Sequence, residues 1–152
     1  MASESVRTVA IAFLALGAAL GWQAVRTAAI PVQAPERLIA ELRLGQFGAL
    51  LLALSAGAYI GLVVGHEEVR GVGFDIALSL GFFVMAAFTM LRDPRQALVT
   101  LALAFAAHAV FDAAHGPGWL PHEIVPRWFA VGGALYDLCI GALCYLPILR
   151  RP

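Results

Sequence analysis

Residues 96–115 read QALVTLALAFAAHAVFDAAH. This is one of five apolar runs of about 20 residues, the length a helix needs to cross the ~30 Å hydrocarbon core of a bilayer. It ends in a cluster of ionisable groups, His108, Asp112 and His115. At about 100° per residue, Asp112 lies roughly 40° from His108 and His115 roughly 20° to the other side. All three therefore project from one stripe about 60° wide. The run points both to the class of the fold and to the place of its chemistry.

Composition extends the membrane reading to the whole chain. Its 152 residues are 61% hydrophobic and 13% charged, with a mean hydropathy of +0.84. A soluble domain carries roughly 25% charged residues because it must present a polar surface to water. The expected fold is an all-α integral membrane protein, a five-helix bundle forming one transmembrane domain over residues 1–152. The spans read as about 6–30, 44–65, 71–91, 96–115 and 127–149. Net charge is zero and no basic patch occurs, which excludes the electrostatic footprint of nucleic-acid binding. Cys139 and Cys144 lie about 140° apart on the last span, so neither a disulfide nor a thiolate zinc site is expected.

The connections are read from proline, glycine and charge. The first apolar run is too long for the roughly 7–15-residue core of a signal peptide and reads as a retained span. Residues 31–46, PVQAPERLIAELRLGQ, place Leu38, Ile39 and Leu42 on one face, with Glu36, Arg37 and Glu41 elsewhere. They predict a short amphipathic helix at the membrane surface, or else the first turns of a long second helix. Pro94 stops the third span and can start the fourth. The loop GPGWLPHEIVPR, with its three prolines, cannot continue a helix. Five spans put Arg7, Arg70 and Arg127 on one side and the other seven arginines on the opposite side. The arginine excess assigns the second side to the cytoplasm of a multi-pass inner (plasma) membrane protein, N-terminus outside and C-terminus cytoplasmic.

Ionisable groups inside a span cost roughly 2.5–3.5 kcal/mol each and so mark function by default. Asp75 and Asp112 lie about four residues below the outer ends of spans three and four, whereas His108 and Asp137 lie about eight to ten residues deep, giving layers at roughly 6 Å and 12–15 Å. The inner halves of the same helices carry no acid or histidine. His108, Asp112 and His115 can supply three ligands to a divalent metal of the zinc or iron type. They can equally form a proton relay, a carboxylate-oriented catalytic histidine, or structural polar packing. His66 ends the stripe of Ser55 and Tyr59 on span two, level with His115, and is the fourth candidate ligand. Asp75, one turn from Ser79, and Asp137, on a face of small residues with Ala130, Gly133, Gly141 and Cys144, are the candidate catalytic acids. Glu67 and Glu68 read as solvated interfacial charges, and His122 and Glu123 as loop residues that could cap the site.

The expected architecture has spans two to five around an outward-open polar pocket, with span one alongside. The expected function is metal binding in that pocket, with action on a lipid-soluble small molecule. A proton- or cation-coupled transporter built on the aspartates is the alternative, and a non-catalytic subunit or hydrophobic-ligand binder a third. The expected partners are the lipid bilayer and that small molecule; a homo-oligomer is left open.

Overall fold

A computed structural model describes residues 4–64, 72–115 and 127–149. In chain order the helices are α1 (Glu4–Ala29), α2 (Pro35–Val64), α3 (Val72–Met90), α4 (Pro94–His115) and α5 (Arg127–Leu149). All five are long and apolar enough to cross a membrane, and no strand occurs among the described residues. Their starts follow local chemistry. Pro35 and Pro94 occupy first helical positions, where an amide hydrogen has no helical partner to lose. Asp93 caps α4, its Oδ1 accepting the Gln96 amide at 3.0 Å.

The distribution of polarity is the reverse of a water-soluble protein. Leu14, Trp22, Val84, Leu91, Leu103 and Val110 point outward and are each at least 66% exposed. Asp75, His108, Asp112, His115 and Asp137 point inward and are each at most 2% exposed.

Helices α2 and α4 pack together at the centre. On one side α3 touches both of them; on the other, α1 packs on α2 and α5, and α5 packs on α4. A main cluster around Leu20, Leu44, Leu51, Ala86, Leu98, Phe105 and Ile140 ties all five helices together. A smaller one around Tyr59, Val63, Phe111 and Ala130 lies toward the end where α2 and α4 finish. The parallel helices α1 and α5 meet closely at Gly17, where an added Cβ would stand 2.7 Å from a ring carbon of Tyr136. This places α1 in the wall of the bundle, beside the site, rather than merely alongside it.

Residues 31–46, expected as a separate interfacial helix, are not one. Helix α2 runs unbroken for 30 residues from Pro35, and the amphipathic turns at its start are inverted. Leu38 and Ile39 are 62% and 54% exposed, whereas Arg37 and Glu41 are each 3% exposed. The reason is a set of bonds that no single helix reveals. Arg37 Nε donates to Glu41 Oε1 at 2.7 Å. Its Nη1 donates to Thr27 O and Ile30 O, each at 2.7 Å. Its Nη2 donates to Pro147 O at 2.6 Å. Thr27 and Ile30 lie in and just past the last turn of α1, and Pro147 lies in the last turn of α5, where carbonyls lack amide partners and the helix dipole is negative. One guanidinium thus closes the C-terminal ends of two helices from the start of a third.

Replacing Arg37 by Met strips three carbonyls, two of them fully buried, of this donor and should lower stability by about 3–5 kcal/mol. Arg37→Lys should recover only part of the loss, because an ammonium lacks the planar fork. Unfolding of the detergent-solubilised protein measures both; an Arg37→Met variant as stable as the parent would mean that the clamp contributes nothing to the fold.

Candidate functional site

The stripe read from α4 faces the bundle interior. His108 and Asp112, one turn apart, look toward α5, and the small face of α5 lets that helix come close. Gly133 sits directly against the Asp112 carboxylate, and a Cβ there would collide with it. This close approach brings Asp137 to His108: Nδ1 and Oδ2 are 2.5 Å apart. Asp112 Oδ1 lies 3.6 Å from the same Nδ1 and accepts the Tyr59 hydroxyl of α2 at 2.5 Å. Four side chains from three helices therefore form one continuous polar chain, Tyr59–Asp112–His108–Asp137. Each of the four is at most 2% exposed.

His108, Asp112 and Asp137 form a group that could hold a metal ion, with one ligand atom from each and all of these within 4.8 Å of one another. With Nδ1 turned to Asp137, the Nε2 of His108 is buried and has no hydrogen-bond partner among the described residues. The ring stands edge-on to Phe82 and Tyr59 at centroid distances of 4.6 and 5.7 Å, which fixes its plane.

A second pair lies one to two turns further along α4. His115 Nδ1 donates to Phe111 O at 3.0 Å, so Nδ1 must carry a proton. Its Nε2 faces Asp75 Oδ1 of α3 at 3.5 Å. Both Asp75 oxygens, His115 Nε2 and Ser79 Oγ are buried without hydrogen-bond partners among the described residues. The Phe111 ring stands edge-on to both histidines, 5.7 Å from His108 and 4.9 Å from His115 by ring centroids, and lies between the pair and the deeper group. No Arg forms an ion pair with Asp75, Asp112 or Asp137 among the described residues. Three buried acids are therefore faced by two imidazoles and a phenol.

A cavity of about 220 Å³ opens onto the deeper group from the side of α1 and α5. His108, Asp112, Asp137 and Tyr59 form its polar wall, and Phe13, Leu14, Trp128, Phe129 and Tyr136 are among its apolar walls. No α3 residue lines it, so Asp75 stands on the far side of the α2–α4 pair.

The sequence-derived candidates are thus divided. His108, Asp112 and Asp137 come together, while His115 and Asp75 meet each other instead. His66, with Glu67, Glu68, His122 and Glu123, lies outside the described residues. Tyr59 was legible as a facing residue but not as the donor to Asp112. Tyr136, about 100° from Asp137 on the same helix, also lines the cavity, its hydroxyl buried and unpartnered among the described residues. Nothing in the α5 pattern separates it from an ordinary packing aromatic. Cys139 and Cys144 are free thiols, one exposed and one buried.

The neighbouring glycines of α5 offer a paired test of the close approach. Gly133→Ala should destabilise by about 1–3 kcal/mol through forced repacking around Asp112. Gly132→Ala meets nothing within 4 Å and should be neutral or up to about 1 kcal/mol more stable, since alanine is the better helix former. Thermal melts of the two variants decide it; equal stability would mean that α5 does not sit against Asp112. Comparison with protein-family models, curated proteins and solved structures finds no match, so the functional reading rests on this geometry.

Proposed function

We propose that the chain is a five-span integral membrane protein whose His108–Asp112–Asp137 centre binds one divalent metal of the zinc or iron type and acts on a lipid-soluble small molecule admitted through the adjoining cavity. The observation that carries the reading is the meeting of three buried metal-type donors on the wall of a largely apolar cavity. Two carboxylates sharing one imidazole in a water-poor interior are costly and require a cation or protons to neutralise them. A metal there would take the place of the proton shared by His108 and Asp137, and three protein ligands would leave a fourth position for water or substrate, as in a catalytic rather than a structural site. A metal held there would acidify a bound water or polarise a carbonyl or phosphoryl group. Tyr59, hydrogen-bonded to Asp112, is placed to orient that carboxylate as a ligand.

The apolar exterior supports residence in a bilayer, and the arginine asymmetry supports an outward-facing N-terminus in a plasma membrane. In that orientation the cavity opens in the outer half of the membrane.

The 2.5 Å contacts at both ends of the Tyr59–Asp112–His108–Asp137 chain also favour a second reading, in which the acids carry protons or cations for a coupled transporter. Metal analysis separates the two. Purified protein should hold a first-row divalent metal at near-unit occupancy in this centre, and Asp137→Asn and His108→Gln should each weaken it by roughly tenfold or more. Metal-free protein that takes up none on reconstitution, yet shows pH-dependent flux in liposomes abolished by Asp112→Asn, would overturn the metal reading in favour of transport.

A further inference from the structure

The Asp75–His115 pair is not used by the function proposed above, and its geometry poses a problem of its own. The Phe111 carbonyl can only accept, so the hydrogen of His115 sits on Nδ1, and the neutral ring presents a bare lone pair at Nε2. That lone pair faces an acceptor-only carboxylate oxygen across 3.5 Å, with both groups at 1% exposure. Two lone pairs cannot face each other in a buried site unless something positive lies between them.

The separation decides among the candidates. A charge-assisted hydrogen bond from an imidazolium would close to about 2.7–2.9 Å. The His108–Asp137 contact closes to 2.5 Å, so the fold does not prevent closure of a histidine–aspartate pair. A bridging water with hydrogen bonds of roughly 2.8 Å on each side needs a gap of well over 4 Å. Nitrogen and oxygen ligands of a tetrahedral zinc-type ion, at about 2.0–2.2 Å each, stand roughly 3.3–3.5 Å apart. The observed gap of 3.5 Å falls in this last range. The remaining Asp75 oxygen is also buried without a partner among the described residues, and so is Ser79 Oγ one turn along the same helix.

We propose that Asp75 Oδ1 and His115 Nε2 bridge a second divalent cation, distinct from the one assigned to His108, Asp112 and Asp137 and separated from it by the Phe111 ring. Hydrogen bonding of Nδ1 to the Phe111 carbonyl orients the histidine for this role, fixing Nε2 as the ligating atom. Two protein ligands leave water or a second substrate group to complete the shell. The chain then carries two metal positions on successive turns of one helix, one facing the cavity and one on the α3 side.

Counting zinc is the test. Full-length protein, stripped with chelator and reloaded with Zn²⁺ in detergent, should bind two equivalents by elemental analysis and calorimetry. Asp75→Asn and His115→Gln should each keep one, and Asp137→Asn should keep the other. One equivalent in the parent that vanishes in Asp137→Asn overturns the second site and leaves the proposed function standing. One equivalent that vanishes in Asp75→Asn but survives Asp137→Asn does the reverse. No bound zinc in the parent overturns both. The parent and Asp137→Asn suffice to separate these outcomes even if the Asp75 and His115 variants fail to fold.

Discussion

A carboxylate or imidazole shut away from water must find its counterpart inside the protein, and this constraint organises one whole end of the bundle. Asp137 is buried to 1% exposure on α5, and what makes this tolerable is His108 on α4. The contact requires the two backbones to approach closely, which explains the run of small residues around Asp137. Gly133 in particular leaves room for the Asp112 carboxylate and nothing else. Tyr59 then draws α2 into the same network through its hydroxyl. Helix packing at this end is therefore a consequence of polar pairing as much as of shape.

The opposite end follows the same rule with different groups. There the groups needing partners are backbone carbonyls at the ends of α1 and α5, and a single guanidinium supplies them. Arg37 suits the task because its donors fan out in one plane and reach three acceptors at once. Its burial turns the first turns of α2 inside out, leaving Leu38 and Ile39 on the exterior. Between the two polar ends lies a dry core of leucine, alanine and phenylalanine. The molecule thus concentrates its buried aspartates and histidines at one end and locks the other with a clamp.

Much of this was legible along the chain, and the exceptions are instructive. The α4 stripe was readable because 3.6 residues per turn put positions 108, 112 and 115 on one face, whatever that face meets. Which acid each histidine would meet was not readable, since it depends on the rotation of α3 and α5 about their own axes. His115 and Asp112 share a stripe with His108 yet differ in partner, because Phe111 projects between the two levels. The amphipathic pattern of residues 36–42 was real, but pattern alone does not say which face is inward. In water the apolar face goes in; against an apolar surround, the charged face does.

The sequence by itself determined that five long apolar helices form, where most of them break, and that aspartates and histidines within them crowd one end. These are local matters of length, hydropathy, proline position and helical period, and no neighbour can change them. Only the tertiary structure decided that α1 rather than α3 walls the cavity, that Asp137 and not His115 completes the group around His108, and that Arg37 joins three helices. Those outcomes rest on contacts between residues more than 100 positions apart, such as Arg37 with Pro147 and Phe13 with Tyr136, and such contacts are set by how whole helices pack against one another.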